Sequence, residues 1–134
     1  MQKLYQQPSD LDPEISFSHD EQIFRISGTS SPENVRATFE PAVNWLSEYR
    51  DKINTDKIIY TEDKPFLLQI DLEYFNSSSA IFLYDLVMIV KSMKDDDIPA
   101  IITWSYDPAD SDSREAGEDL SILAEIEFEY IKRQ

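Results

Sequence analysis

The chain has 134 residues and a net charge of −15, from 27 acidic and 12 basic side chains. That balance repels nucleic acid and anionic membrane, which are bound by neutralising phosphate, and the lack of cysteine excludes disulfides, thiolate catalysis and cysteine-held metals. A hydrophobic content of 41% excludes an acidic disordered tail and suits a single domain, 1–134, with its own core.

Residues 1–13 are polar, contain Pro8 and Pro13, and read as a flexible N-terminal arm with no apolar leader. "EISFSHDEQIFRISG" reads as two short strands joined at His19, Asp20 and Glu21, with Gly28 marking the turn that follows. Ser30 and Glu33 fit a capping box, and Pro32 suits a first helical turn. Val35, Phe39, Ala42, Val43, Leu46, Tyr49 and Ile53 then recur at helical spacing, with a kink or split expected at Pro41. Residues 54–65 form a polar loop with a short extended piece at 58–60.

"FLLQIDLEYF" alternates, placing Leu68, Ile70, Leu72 and Tyr74 opposite Gln69, Asp71 and Glu73. After Asn76 and three serines the period changes to helical, over about 77–94. The apolar-rich run at 80–90 is broken by Tyr84 and Asp85 and is too short to span a bilayer, so a cytoplasmic protein is expected. "PAIITWSY" is a further strand, "DPADSDSREAGEDLSILAEI" an acidic loop running into a helix, and "IEFEYI" a last strand.

Parallel strands covered on both faces read as continuous apolar runs. Here Arg25, Gln69, Asp71, Glu73, Thr103, Ser105, Glu127 and Glu129 give most strands a polar face. The expected fold is a two-layer α/β sandwich, with a mixed sheet of about five strands and helices on one face. The segments 66–106 and 100–131 read as parallel crossovers.

Little in the chain supports catalysis. His19 is the only histidine and reads as a solvated turn residue. Asp107, Asp110, Asp112, Glu115 and Glu118 fail the EF-hand spacing and read as a solvated helix start, so no metal is expected. Two glycines cannot build a phosphate loop. Trp45 and Trp104 fall at core positions, and Asp71 and Glu73 read as a solvated strand face. No catalytic residue and no cofactor are expected.

The serines after Asn76 remain. Asn76 or Ser77 can cap the helix, and one such residue suffices. A serine at this strand-to-helix turn is exposed, and a phosphate there would meet free backbone N–H groups and the helix dipole.

"GTSSPENVRATFEPAVNWLSEY", "LEYFNSSSA" and "ITWSYDPADSDSREAGEDL" resemble, in order and spacing, the signature segments of the SiaC family of bacterial regulatory phosphoproteins, over about residues 13–131. The resemblance implies a fold like the anti-sigma-factor antagonists (STAS-like) and a role in partner switching. A serine/threonine protein kinase phosphorylates one hydroxyl and a PP2C-like phosphatase removes the phosphate. The unphosphorylated form binds and activates a diguanylate cyclase, raising cyclic di-GMP and favouring biofilm. The implied phosphoacceptor directly follows the Tyr-Phe-Asn triplet and is Ser77, with Ser78 and Ser79 as alternatives. Tyr74, Phe75, Asn76 and Ser78 form the implied partner surface. The competing reading is a small acidic ligand- or effector-binding module whose serines only cap a helix.

Overall fold

The computed structural model describes residues 1–134. Its elements are β1 (Leu4–Gln6), β2 (Glu14–Ser18), β3 (Ile23–Ser30), α1 (Val35–Thr55), β4 (Phe66–Phe75), α2 (Ser77–Asp95), β5 (Ala100–Tyr106), α3 (Ser111–Ala124) and β6 (Glu129–Lys132). The strands form one sheet in chain order. β1, β2 and β3 pair antiparallel. β3, β4, β5 and β6 pair in parallel, each successive pair joined through a helix.

Alternation decides the layers. Ile15, Ile26, Ile70, Trp104 and Tyr130 are successive register partners across the sheet. The first four are buried, in one core cluster with Phe39, Leu46, Leu83, Val87 and Leu120 from the three helices. The neighbouring row is Ser16, Arg25, Gln69, Thr103 and Glu129. It carries the polar side chains and no covering helix. The expected mixed sheet with helices on one face is thus what the chain forms, with six strands rather than five.

Several local expectations need correction. Residues 1–13 are not a loose arm: β1 pairs with β2, and the Trp45 indole N–H donates to the Gln2 carbonyl at 2.8 Å. Ser30 does not cap α1. It is the last residue of β3 and fully buried, while Asn34 is the cap, accepting from the Ala37 N–H at 3.1 Å. Helix α1 runs unbroken through Pro41. Pro41 sits on the exposed face, and the buried stripe from Phe39 to Ile53 holds the segment to the core despite the missing N–H. Residues 58–60 form no strand, and only 129–132 of the last segment pair with β5, although Ile126 and Phe128 are buried.

Candidate functional site

The end of β4 departs from plain alternation. The β3–β4 register pairs Gly28 with Leu72 and Thr29 with Tyr74, leaving Glu73 as an extra residue. Gly28 has φ +91°, a conformation that suits glycine at such a bulge. The extra residue reverses the faces beyond it. Tyr74, expected on the core face with Leu72, is instead 56% exposed. Phe75 turns inward, its ring edge-on to Trp104 at 5.7 Å.

A single residue, Asn76, makes the strand-to-helix corner. The Asn76 N–H donates to the Ser30 carbonyl at 2.9 Å, tying the corner to the end of β3. The Asn76 side chain accepts from the Ser79 N–H at 2.8 Å and caps α2. The Ser79 side chain turns inward, is 0% exposed and hydrogen-bonds the Ser30 hydroxyl at 2.8 Å. The three serines therefore have different situations. Ser79 is locked in a buried hydroxyl pair and is not presented to another enzyme. Ser77 and Ser78 are exposed in the first turn of α2. Since Asn76 supplies the cap, neither is needed for it. Tyr74, Asn76, Ser77 and Ser78 share this corner, while Phe75 lies beneath it.

Helix α3 lies beside α2 and is seated by Trp104. A Cβ on Gly117 would fall 2.6 Å from the Trp104 ring, so only glycine allows this approach. The Trp104 indole N–H donates to the Ser113 carbonyl at 3.0 Å, and its ring stacks on Phe128 at 5.9 Å. Asp110 caps α3, accepting from the Asp112 N–H at 3.0 Å, which gives one of the acids in this loop a structural role. Arg114 lies over the rings of Tyr106 and Tyr130, at 5.1 and 4.5 Å. Arg133 pairs with Asp71 across the open sheet face, its Nε donating at 2.8 Å. Arg114 and Arg133 are thereby engaged, while Lys132 is exposed at the end of β6.

A second polar cluster occupies the opposite end of the parallel strands. His19 is in the expected turn but is half-buried, with Nδ1 2.6 Å from the Tyr49 hydroxyl. The Tyr49 and Tyr60 hydroxyls are 2.6 Å apart, and Tyr60 donates to the Gln22 side-chain carbonyl at 3.1 Å. Gln22 donates back to the His19 carbonyl at 2.7 Å. Each hydroxyl has one proton. His19 Nδ1 also lies 3.2 Å from the Gln22 amide nitrogen, so the direction of the bonds through the two hydroxyls follows the His19 tautomer. Burial raises the pKa of the Tyr49 and Tyr60 phenols, Tyr60 further through its bond to Tyr49.

The buried Ser30–Ser79 pair and the Gly117–Trp104 contact escaped the reading of the sequence. Ser30 carried a signal, since a serine before a serine-proline pair also suits a strand end. Nothing marked its partner as Ser79.

The family model described as "SiaC family regulatory phosphoprotein" matches residues 6–133. The chain belongs to the SiaC family. Comparison with curated protein sequences gives no match. Among solved structures, apo-SiaC from Pseudomonas aeruginosa is similar over 100% of this chain and 100% of its own, at 19% identity and a TM-score of 0.79. Another SiaC structure from Pseudomonas aeruginosa matches at 20% identity and a TM-score of 0.76, over 99% of this chain and 100% of that one. A chain in the crystal structure of the diguanylate cyclase SiaD in complex with its activator SiaC, from the same organism, matches at 19% identity and a TM-score of 0.79, over 96% of this chain and 97% of that one. The SiaC fold thus accounts for the whole sheet and all three helices. The protein is a regulatory phosphoprotein by family. No helix is long and apolar enough to cross a membrane.

Proposed function

We propose that this SiaC-family protein is a non-enzymatic, cytoplasmic partner switch whose unphosphorylated form binds and activates a diguanylate cyclase. A serine/threonine kinase transfers phosphate to Ser77 and ends that binding; a PP2C-like phosphatase restores it. The observation that carries this reading is the Asn76 cap, which leaves the exposed Ser77 hydroxyl at the first position of α2 with no capping duty. The cyclase as partner rests on the family and on the SiaD–SiaC complex of the similar structure.

The corner suits a reversible charge. Asn76 takes the N–H groups of Ser79 and Ala80, and the first-turn N–H groups of Ser77 and Ser78 remain to meet an anion at the positive end of the helix. The phosphate, about −1.5 to −2 units, is therefore tolerated by the free protein. At an interface the balance reverses. Glu73 and Asp85 add like charge, and Arg114 and Arg133 are engaged elsewhere. A phosphate buried against a partner without a counter-ion costs about 2–5 kcal/mol, or some tens to thousands of times in affinity.

The test is calorimetric titration of the candidate cyclase with the unmodified, phosphorylated, Ser77→Ala and Ser77→Asp forms. Unmodified and alanine forms bind alike; the phosphorylated form binds weakest, and the aspartate form falls between. Equal affinity of the phosphorylated and unmodified proteins would show that Ser77 does not control binding.

A further inference from the structure

Beside Ser77 an apolar groove of about 470 Å³ runs between α2 and α3. Phe75 and Tyr84 line it from one side, Leu120 from the other, and 7 of its 8 lining residues are hydrophobic. Two large aliphatic side chains stand on its walls unburied, Ile81 at 64% and Leu123 at 67% exposure. Core packing does not explain either position. In α2, Ile81 lies one turn beyond Ser77 and Tyr84 a further turn on, at the i, i+4, i+7 spacing that shares one helix face. Ser77 thus heads the stripe that forms the groove wall. Ser78 meets that stripe only at Ile81, at i+3, and otherwise leads to Phe82, which stacks on Phe39 of α1 at 5.8 Å.

Charge restricts what enters. Asp119 is the one charged residue of the lining, and Asp112 and Glu115, a turn or two before it on α3, are also exposed. The only cation of that helix, Arg114, is held over Tyr106 and Tyr130. An apolar floor inside an acidic rim complements an apolar segment flanked by lysine or arginine.

We propose that the α2–α3 groove is the docking surface for an apolar, basic-flanked segment of the cyclase, and that a phosphate on Ser77 acts by closing the head of this groove. The proposal rests on the partner-switch reading and adds the surface and the chemistry of the partner. It also separates two adjacent exposed serines: charge on Ser77 stands over the groove, and charge on Ser78 stands aside from it.

The experiment is a titration of the cyclase with full-length Ile81→Glu, Leu123→Glu, Ile122→Glu, Ser77→Asp and Ser78→Asp forms beside the wild type. Ile122 is 76% exposed on the same helix but lies outside the groove, and serves as the control for loss of surface apolar area. Ile81→Glu and Leu123→Glu weaken binding about tenfold or more. Ile122→Glu and Ser78→Asp change it by less than about threefold, and Ser77→Asp resembles the groove variants. All five sites are exposed, so helical circular dichroism stays at the wild-type value. Wild-type binding with unaltered affinity in the groove variants overturns the groove and leaves the partner switch standing. Absence of wild-type binding overturns both. Equal losses for Ile122→Glu and Leu123→Glu reduce the groove to general surface stickiness and also overturn it.

Discussion

The two ends of the parallel sheet treat polar side chains in opposite ways. At the His19 end, the imidazole, two phenols and an amide form one continuous chain of hydrogen bonds. At the Ser77 end, Ser30, Asn76 and Ser79 form a similarly closed set, yet two further hydroxyls stand outside it. A closed network explains its own residues through the cost of leaving buried polar groups unpaired. A residue left outside such a network, at a position that offers free N–H groups, is where function has room to act. By that criterion the lone histidine serves the fold, and Ser77 is free for the switching role proposed for it.

The comparison is sharpened by substitutions at both ends. The largest effect is expected at the tight seat of α3. Gly117→Ala forces a methyl against Trp104, which is itself fixed between Phe75 and Phe128, and costs about 1–3 kcal/mol in chemical denaturation. Because Phe75 lines the groove proposed as the docking surface, titration of the candidate cyclase is expected to show weaker binding with this variant.

At the other end, Tyr49→Phe costs about 1–2 kcal/mol by breaking the chain between His19 and Tyr60. If Ser77 is the phosphoacceptor as proposed, its phosphorylation rate is unchanged by this substitution. A phosphorylation rate that fell with Tyr49→Phe would show that the two ends are coupled. The same phenols set a pH limit. Their folded pKa values are raised above the unfolded value near 10, so the folded state keeps protons that the unfolded chain releases. Their contribution is complete below about pH 10 and is lost as pH rises from there towards the folded pKa. Urea midpoints fall above pH 10, and the fall is shallower in Tyr60→Phe.

The smallest effects separate the cap from the serine beside it. Asn76→Ala removes the acceptor for the Ser79 N–H and costs about 1 kcal/mol. Ser77→Ala changes stability by less than about 0.5 kcal/mol, as for other exposed sites without a structural partner. If Ser77→Ala destabilised as much as Asn76→Ala, the serine would be part of the cap and the contrast between the two ends would fail.

Much of this was legible in the sequence. Period-two alternation in "FLLQIDL" and "AIITWSY" revealed the one-sided sheet, and the change of period at Asn76 located the start of α2. What was not legible depended on partners distant in sequence. Tyr74 was placed on the wrong face because the bulge at Glu73 follows from pairing with Gly28 on another strand. The Ser30 hydroxyl finds Ser79 across 49 positions, and no local rule relates them. Strand β1 was hidden because three polar-flanked residues carry too little pattern, and its pairing is supplied by β2. The run of three serines marked the first turn of α2, but only packing assigns one of them to the interior.

The two tryptophans divide the molecule for spectroscopy. Trp45 packs among Phe17, Phe24 and Tyr49, beside the closed network. Trp104 lies under Phe75 and Gly117, against the floor of the groove. With phenylalanine in place of Trp45, the remaining indole emission comes from beneath the corner that carries Ser77. The protein would then contain an intrinsic fluorophore able to follow, without any attached dye and in real time, whether that corner is modified or covered.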